Sequence, residues 1–118
     1  VLIVDDELPI VTLLQRMLET RGYRVTSFTS SEDALASFRR DPGSFDAVVT
    51  DQTMPRLSGV DLAGAVHAVR PDIPVLLTTG YVDREAHSDF GRDIADVIAK
   101  PFDTAAIARV LRGVLDRA

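Results

Sequence analysis

Acidic residues stand where apolar runs end. Asp5 and Asp6 follow Val1-Leu2-Ile3-Val4, and Asp51 follows Ala47-Val48-Val49-Thr50. Thr79 closes a further apolar run, and Lys100 closes the last one before Pro101. If these runs are neighbouring parallel strands, three carboxylates, one hydroxyl and one ammonium meet at a single edge of one sheet. Carboxylates a few ångströms apart repel one another, by ~4 kcal/mol for each close pair at an effective dielectric of about 20. A compensating cation makes such a cluster tolerable. Mg²⁺ suits it, because a hard ion takes a few carboxylate oxygens, keeps several waters and bridges to a phosphate oxygen. The constellation suits binding a divalent cation and a phosphoryl group. Singly, each residue has an ordinary explanation. Asp5-Asp6 reads as a solvated turn or a helix cap, Lys100 as a surface residue before a proline turn, and Thr79 as a β-branched strand residue. Their shared register relative to the apolar runs sets them apart.

The elements that position these residues alternate between strand-like and helix-like patterns, as expected of a parallel α/β sheet with right-handed crossovers. The unbroken apolar run Val1 to Val4 predicts a central strand covered on both faces. Leu8, Val11, Leu14 or Leu18, and Met17 fall at helical spacing, with Pro9 in the first turn and Gly22 at the end. Alternation from Tyr23 to Phe28 predicts a second strand nearer an edge. Ser30 or Ser31 caps a helix containing Ala34, Leu35 and Phe38 that closes at Pro42-Gly43. Asp46 to Thr50 is the third strand. The next helix carries Val60, Ala63 or Gly64, and Val66-His67, and ends before Pro71, which demands an extended predecessor. Pro74 to Thr79 is the fourth strand, Asp83 to Arg92 a polar helix anchored by Ala86 and Phe90, and Asp96 to Ala99 the fifth strand. Asp103 caps a last helix whose Ile107, Val110, Leu111, Val114 and Leu115 form one apolar face.

A chain of 118 residues with 46% apolar content suits one domain spanning residues 1–118. The formal net charge of −5 and scattered basic residues argue against nucleic-acid binding. Without cysteine there is no disulfide framework and no thiolate metal site. No apolar run approaches the ~20 residues of a membrane span, so no membrane partner is expected of this segment. The chain opens with Val inside a strand-like run, which suggests a piece of something longer. His67 and His87 have no ligand-like partner at helical spacing and are read as surface residues. Gly59 is read as serving helix entry, and Met54-Pro55 as a turn shaping the loop after Asp51.

Val4-Asp-Asp6, Asp51-Gln-Thr-Met-Pro-Arg-Leu-Ser-Gly59, Leu77-Thr-Thr-Gly80 and Lys100-Pro-Phe102 together resemble the receiver domain of two-component response regulators, over essentially the whole chain. The resemblance implies a doubly wound, flavodoxin-like (βα)5 fold with a five-stranded parallel sheet in the order 2-1-3-4-5. It implies that Asp51 accepts a phosphoryl group from a phosphohistidine, with Thr79 and Lys100 as the other catalytic residues. It also implies Mg²⁺ held directly by Asp6 and Asp51, largely through water by Asp5, and by the backbone carbonyl of Thr53, together with a cis peptide between Lys100 and Pro101. The implied partner is a phosphorylated histidine kinase or a histidine phosphotransfer domain, docking near an exposed face of the first helix. A cytoplasmic domain follows, compatible with a membrane-anchored parent. Leu76-Leu-Thr-Thr-Gly-Tyr81 and Ala99-Lys-Pro-Phe-Asp103 look most like receivers of hybrid sensor kinases.

Many receivers carry an aromatic residue three positions before the Lys, where this chain has Val97, so the usual Thr-aromatic coupling is not expected here. Thr53 and Tyr81 are the positions expected to tune phosphoryl lifetime, by gating the attacking water. Two other readings fit a parallel sheet with an acidic edge. One is a phosphohydrolase with an aspartyl-phosphate intermediate, but such enzymes usually place a second Asp two residues after the nucleophile, where this chain has Thr53. The other is a non-phosphorylated docking scaffold or flavin-binding sheet, which the intact Asp and Lys set opposes.

Overall fold

The computed structural model describes residues 1–80 and 93–117; Tyr81, His87 and the helix expected from Asp83 to Arg92 lie outside the described residues. Five strands, β1 (Leu2–Val4), β2 (Thr26–Phe28), β3 (Val48–Asp51), β4 (Val75–Thr79) and β5 (Asp96–Ala99), alternate with described helices α1 (Leu8–Glu19), α2 (Ser31–Arg40), α3 (Gly59–Val69) and α4 (Thr104–Arg117). A short 3₁₀ turn, Pro42–Ser44, follows α2. The strands form one sheet in the order β2-β1-β3-β4-β5. All pairings are parallel. This is the doubly wound order expected from the resemblance. Its direction reverses between β1 and β3, the place where open α/β sheets leave a crevice for ligands.

Strand alternation divides the apolar residues between two cores. Leu2, Val4, Val48, Val75 and Leu77 point to the face covered by α2 and α3, through Ala34, Leu35, Phe38, Leu62, Ala63 and Val66. Ile3, Val49, Leu76 and Ile98 point the other way and pack under α1 and α4, through Leu14, Leu18, Ile107, Leu111 and Val114. Burying each such side chain contributes roughly 1.5–3 kcal/mol. β1, β3 and β4 are buried along their whole length, which explains their continuous apolar sequences. The second strand begins only at Thr26, three residues later than its alternation suggests. The chain leaves α1 through Gly22 at φ 91°, a conformation in which a side chain is strained, and Tyr23 packs under the α1/α4 core before pairing begins.

Two helix starts, those of α2 and α4, follow the expected caps. The Ser30 hydroxyl accepts the Asp33 N–H at 3.2 Å. Asp103 Oδ1 accepts the Ala106 N–H at 2.7 Å. No described helix is long and apolar enough to cross a membrane.

Candidate functional site

By the same alternation, Asp5 after Ile3, Asp51 after Val49 and Lys100 after Ile98 all face the α1/α4 side; Asp51 is the last residue of β3, and Asp5 and Lys100 lie just beyond the carboxyl ends of β1 and β5. There the Lys100 ammonium donates to Asp5 Oδ2 at 2.9 Å and lies 3.2 Å from Asp51 Oδ1. Asp6 completes the group: one carboxylate oxygen from each of Asp5, Asp6 and Asp51 can be chosen so that all lie within 4.8 Å of one another. Asp5 is fully buried, Asp51 is 7% exposed and Asp6 is open to solvent. The Asp5 Oδ1 atom accepts the Glu7 N–H at 3.0 Å, so this carboxylate also shapes the turn into α1. Neither Asp6 nor Glu7 caps that helix with its side chain. The Lys100–Pro101 peptide is cis, in agreement with the resemblance.

Electrostatics make the pocket short of positive charge. Burial, and then the negative charge of Asp5, push the Asp51 carboxyl above the usual carboxylate range, against the opposing pull of Lys100. Burial acts to lower the Lys100 pKa, but hydrogen bonding and charge from Asp5, then from Asp51, outweigh it and raise it. One ammonium thus serves several carboxylates. A set of hard oxygen donors around a carboxyl whose ionised form is disfavoured fits a divalent hard cation.

The loop after Asp51 is fixed to α3 by Gln52, which the residue pattern does not single out. Its N–H donates to the Thr78 carbonyl at 3.0 Å, continuing the β3–β4 ladder. Its own carbonyl accepts the Gly59 N–H at 3.0 Å, and its side-chain Oε1 accepts the Val60 N–H at 3.0 Å. The Ser58 hydroxyl takes the Asp61 N–H at 3.2 Å, so the first turn of α3 is satisfied almost wholly by this loop. Gly59 has a stronger reason to be glycine than helix entry. A Cβ there would meet the Asp51 carbonyl oxygen and Leu77 Cδ1, both at 2.5 Å. Backbone and strand approach too closely for any side chain. Met54 is buried in the α2/α3 core. Arg56 holds φ 69° and pairs with Glu32 at 3.2 Å on the surface.

Of the other expected site residues, Thr53 lies exposed in this loop. Thr79 ends β4, is nearly buried, and accepts the Lys100 N–H on its carbonyl at 2.8 Å. Val97 packs half-buried against the α2/α3 core.

His67 corrects its surface reading. It is mostly buried, with Nδ1 2.8 Å from Asp93 Oδ1 and Nε2 2.7 Å from the Ile73 carbonyl oxygen. The carbonyl can only accept, so Nε2 carries a proton. Both partners lie beyond the end of α3, which is why helical spacing misses them.

The sequence profile of the response regulator receiver domain family matches residues 1–112. The response regulator receiver protein CpdR of Brucella abortus is 33% identical over 104 residues, covering 86% of this chain and 84% of that protein. A response regulator receiver domain protein from Clostridium thermocellum superposes with a TM-score of 0.90 at 27% identity, covering 98% of this chain and 93% of the other. The response regulator TrrA of Thermotoga maritima, solved in complex with Mg(2+)-BeF, gives a TM-score of 0.84 at 29% identity over 96% of both chains. Several curated relatives are longer, and the chain spans only 22% of one and 50% of another. This chain belongs to the response regulator receiver domain family. Its function is that of a receiver in phosphorelay signal transduction, a class phosphorylated by histidine kinases or phosphotransfer proteins.

Proposed function

We propose that Asp51 is the phosphoryl acceptor, that Lys100 and Thr79 assist the transfer, and that Asp5, Asp6, Asp51 and the backbone carbonyl of Thr53 hold Mg²⁺. The observation that carries this reading is the sharing of one ammonium between Asp5 at 2.9 Å and Asp51 at 3.2 Å, with Asp6 alongside. When bound, Mg²⁺ supplies positive charge and a fixed seat for phosphoryl oxygens. Asp51 attacks phosphorus through a carboxylate oxygen as the bond to the donor imidazole breaks, giving an acyl phosphate and returning the electron pair to the histidine. Lys100 pairs with Asp51 before transfer and with a phosphoryl oxygen afterwards, as a point charge on a flexible stem can. Hydrolysis reverses the charge change: water attacks phosphorus, and the carboxylate is regenerated with release of inorganic phosphate.

Phosphorylation adds up to about two negative charges at the rim of the sheet. A signal results when two conformations bind that charge differently. The Thr79 hydroxyl, at the end of β4, is the donor we assign to the phosphoryl oxygen, with the following loop moving with it. Val97 lacks the aromatic ring of the usual coupling, so the movement is read out through packing against the α2/α3 core. The donor is a phosphorylated histidine kinase or histidine phosphotransfer domain, and the domain works in the cytoplasm. The phosphohydrolase alternative is disfavoured by Thr53, which offers no carboxyl acid two residues after Asp51.

Incubation with acetyl phosphate, with and without Mg²⁺, followed by intact-mass measurement tests the reading. One phosphoryl group is expected on the wild type with Mg²⁺ and none on Asp51→Asn. Equal labelling of the variant, or labelling independent of Mg²⁺, would overturn it.

A further inference from the structure

One buried hydroxyl stands apart among the described residues. Thr78 Oγ1 is inaccessible to solvent and has no hydrogen-bond partner. The other fully buried threonine, Thr50, donates its hydroxyl to the Asp51 carbonyl at 3.0 Å. A buried hydroxyl without a partner destabilises the fold relative to an isosteric valine, so its presence calls for a state in which it is used.

Its position suggests which state. Thr78 pairs in register with Asp51 on β3 and with Ile98 on β5. It follows Leu76 by two residues, so it points to the same face as Asp51 and Lys100. Lys100 starts at the end of β5, yet its ammonium reaches Asp51 at the end of β3 and Asp5 beyond β1. In the order β1-β3-β4-β5 that side chain must cross the end of β4. Gly80 has no side chain, so Thr78 is the last side chain of β4 on the face that Lys100 crosses. The ammonium has three N–H groups, and Asp5 and Asp51 engage two of them in this structure.

We propose that Thr78 is a positioning residue for Lys100: its hydroxyl accepts an N–H of the ammonium as that group leaves Asp51 for the incoming phosphoryl oxygens. The proposal rests on the assignment of Asp51 and Lys100 above. It adds a second function for β4, with Thr79 meeting the phosphoryl group and Thr78 guiding the cation that does so.

Thr78→Val keeps shape and removes only the hydroxyl; Thr78→Ser keeps the hydroxyl. With acetyl phosphate and Mg²⁺, the initial rate of phosphoryl incorporation by intact mass is expected to fall about fivefold in Thr78→Val, the loss of roughly one hydrogen bond at the transition state. Thr78→Ser is expected to stay within about twofold of wild type, and thermal stability of Thr78→Val to match or exceed wild type. In a Lys100→Met background, Thr78→Val is expected to change the rate no further. A Thr78→Val rate equal to wild type, or an equal fall with and without Lys100, would overturn the proposal while leaving Asp51 as the acceptor. Failure of the wild type itself to take up phosphoryl on Asp51 would remove the underlying assignment, and the proposal with it.

Discussion

The two rims of the sheet carry ionisable groups of opposite temperament. At the amino-end rim, just before β4 and β5, His67 offers two ring nitrogens to two acceptors, Asp93 at 2.8 Å and the Ile73 carbonyl at 2.7 Å. At the carboxyl-end rim, Asp5, Asp6 and Asp51 crowd around one ammonium. The first cluster is complete. In the second, burial and then the negative charge of Asp5 disfavour the ionised form of Asp51. Structural polar clusters are satisfied within the chain, whereas a binding site keeps an interaction in reserve for its ligand. The contrast separates a mostly buried histidine that fastens α3 from the carboxylates proposed to take a cation and a phosphoryl group.

Substitutions can break or sharpen this contrast, and the largest effect is expected at the crowded rim. Gly59→Val forces a side chain onto the Asp51 carbonyl and Leu77, so unfolding in urea is expected to show a loss of about 3 kcal/mol. Retention of wild-type stability would mean that the rim has room that the packing around Gly59 denies. At the amino-end rim, His67→Ala is expected to cost about 2 kcal/mol by the same assay, because the Ile73 carbonyl loses its donor and Asp93 its ring-nitrogen partner. Its rate of phosphoryl uptake should match wild type, and a large fall would join the two rims functionally.

Asp51→Asn is expected to act in the opposite direction, raising stability by about 1 kcal/mol at pH 7. The sign follows from a folded pKa raised above the unfolded value. The stabilising contribution of such a carboxyl is complete in acid, where it is neutral in both states, and is lost as pH rises through the folded pKa. The advantage of Asn is therefore present at neutral pH and should vanish below about pH 4, near the ordinary carboxylate value. A thermal-melt series across pH in which the variant gains nothing at neutrality would contradict the frustrated rim. The smallest effect belongs to Glu32→Gln, which removes an exposed ion pair with Arg56 and should change stability by no more than about 0.5 kcal/mol.

Much of this was legible in the residue pattern because strands buried on both faces write continuous apolar runs, and the residue after each run must emerge at the rim. Asp5, Asp6, Asp51, Thr79 and Lys100 all stand at the ends of such runs. The pattern does not separate the fully buried Asp5 from the exposed Asp6, since that depends on which direction the chain takes as it leaves β1. Two features could not be read at all. Gly59 at the start of α3 is required by an approach to Leu77, 18 residues away on β4, a contact with no local signature. His67 finds Asp93 across 26 residues and a backbone carbonyl that any residue could supply. The observed β2 is shorter than its alternation predicts because Tyr23 and Val25 alternate like strand residues while packing under the α1/α4 core.

Mapping of the phosphorylated residue tests the carboxyl-end rim most directly. The chain is treated with acetyl phosphate and Mg²⁺, reduced with borohydride to convert any acyl phosphate to the alcohol, and digested for tandem mass spectrometry. Homoserine at position 51, and nowhere else, is the expected product; conversion at position 5 or 6, or none in chain shown by intact mass to carry phosphoryl, would contradict the assignment.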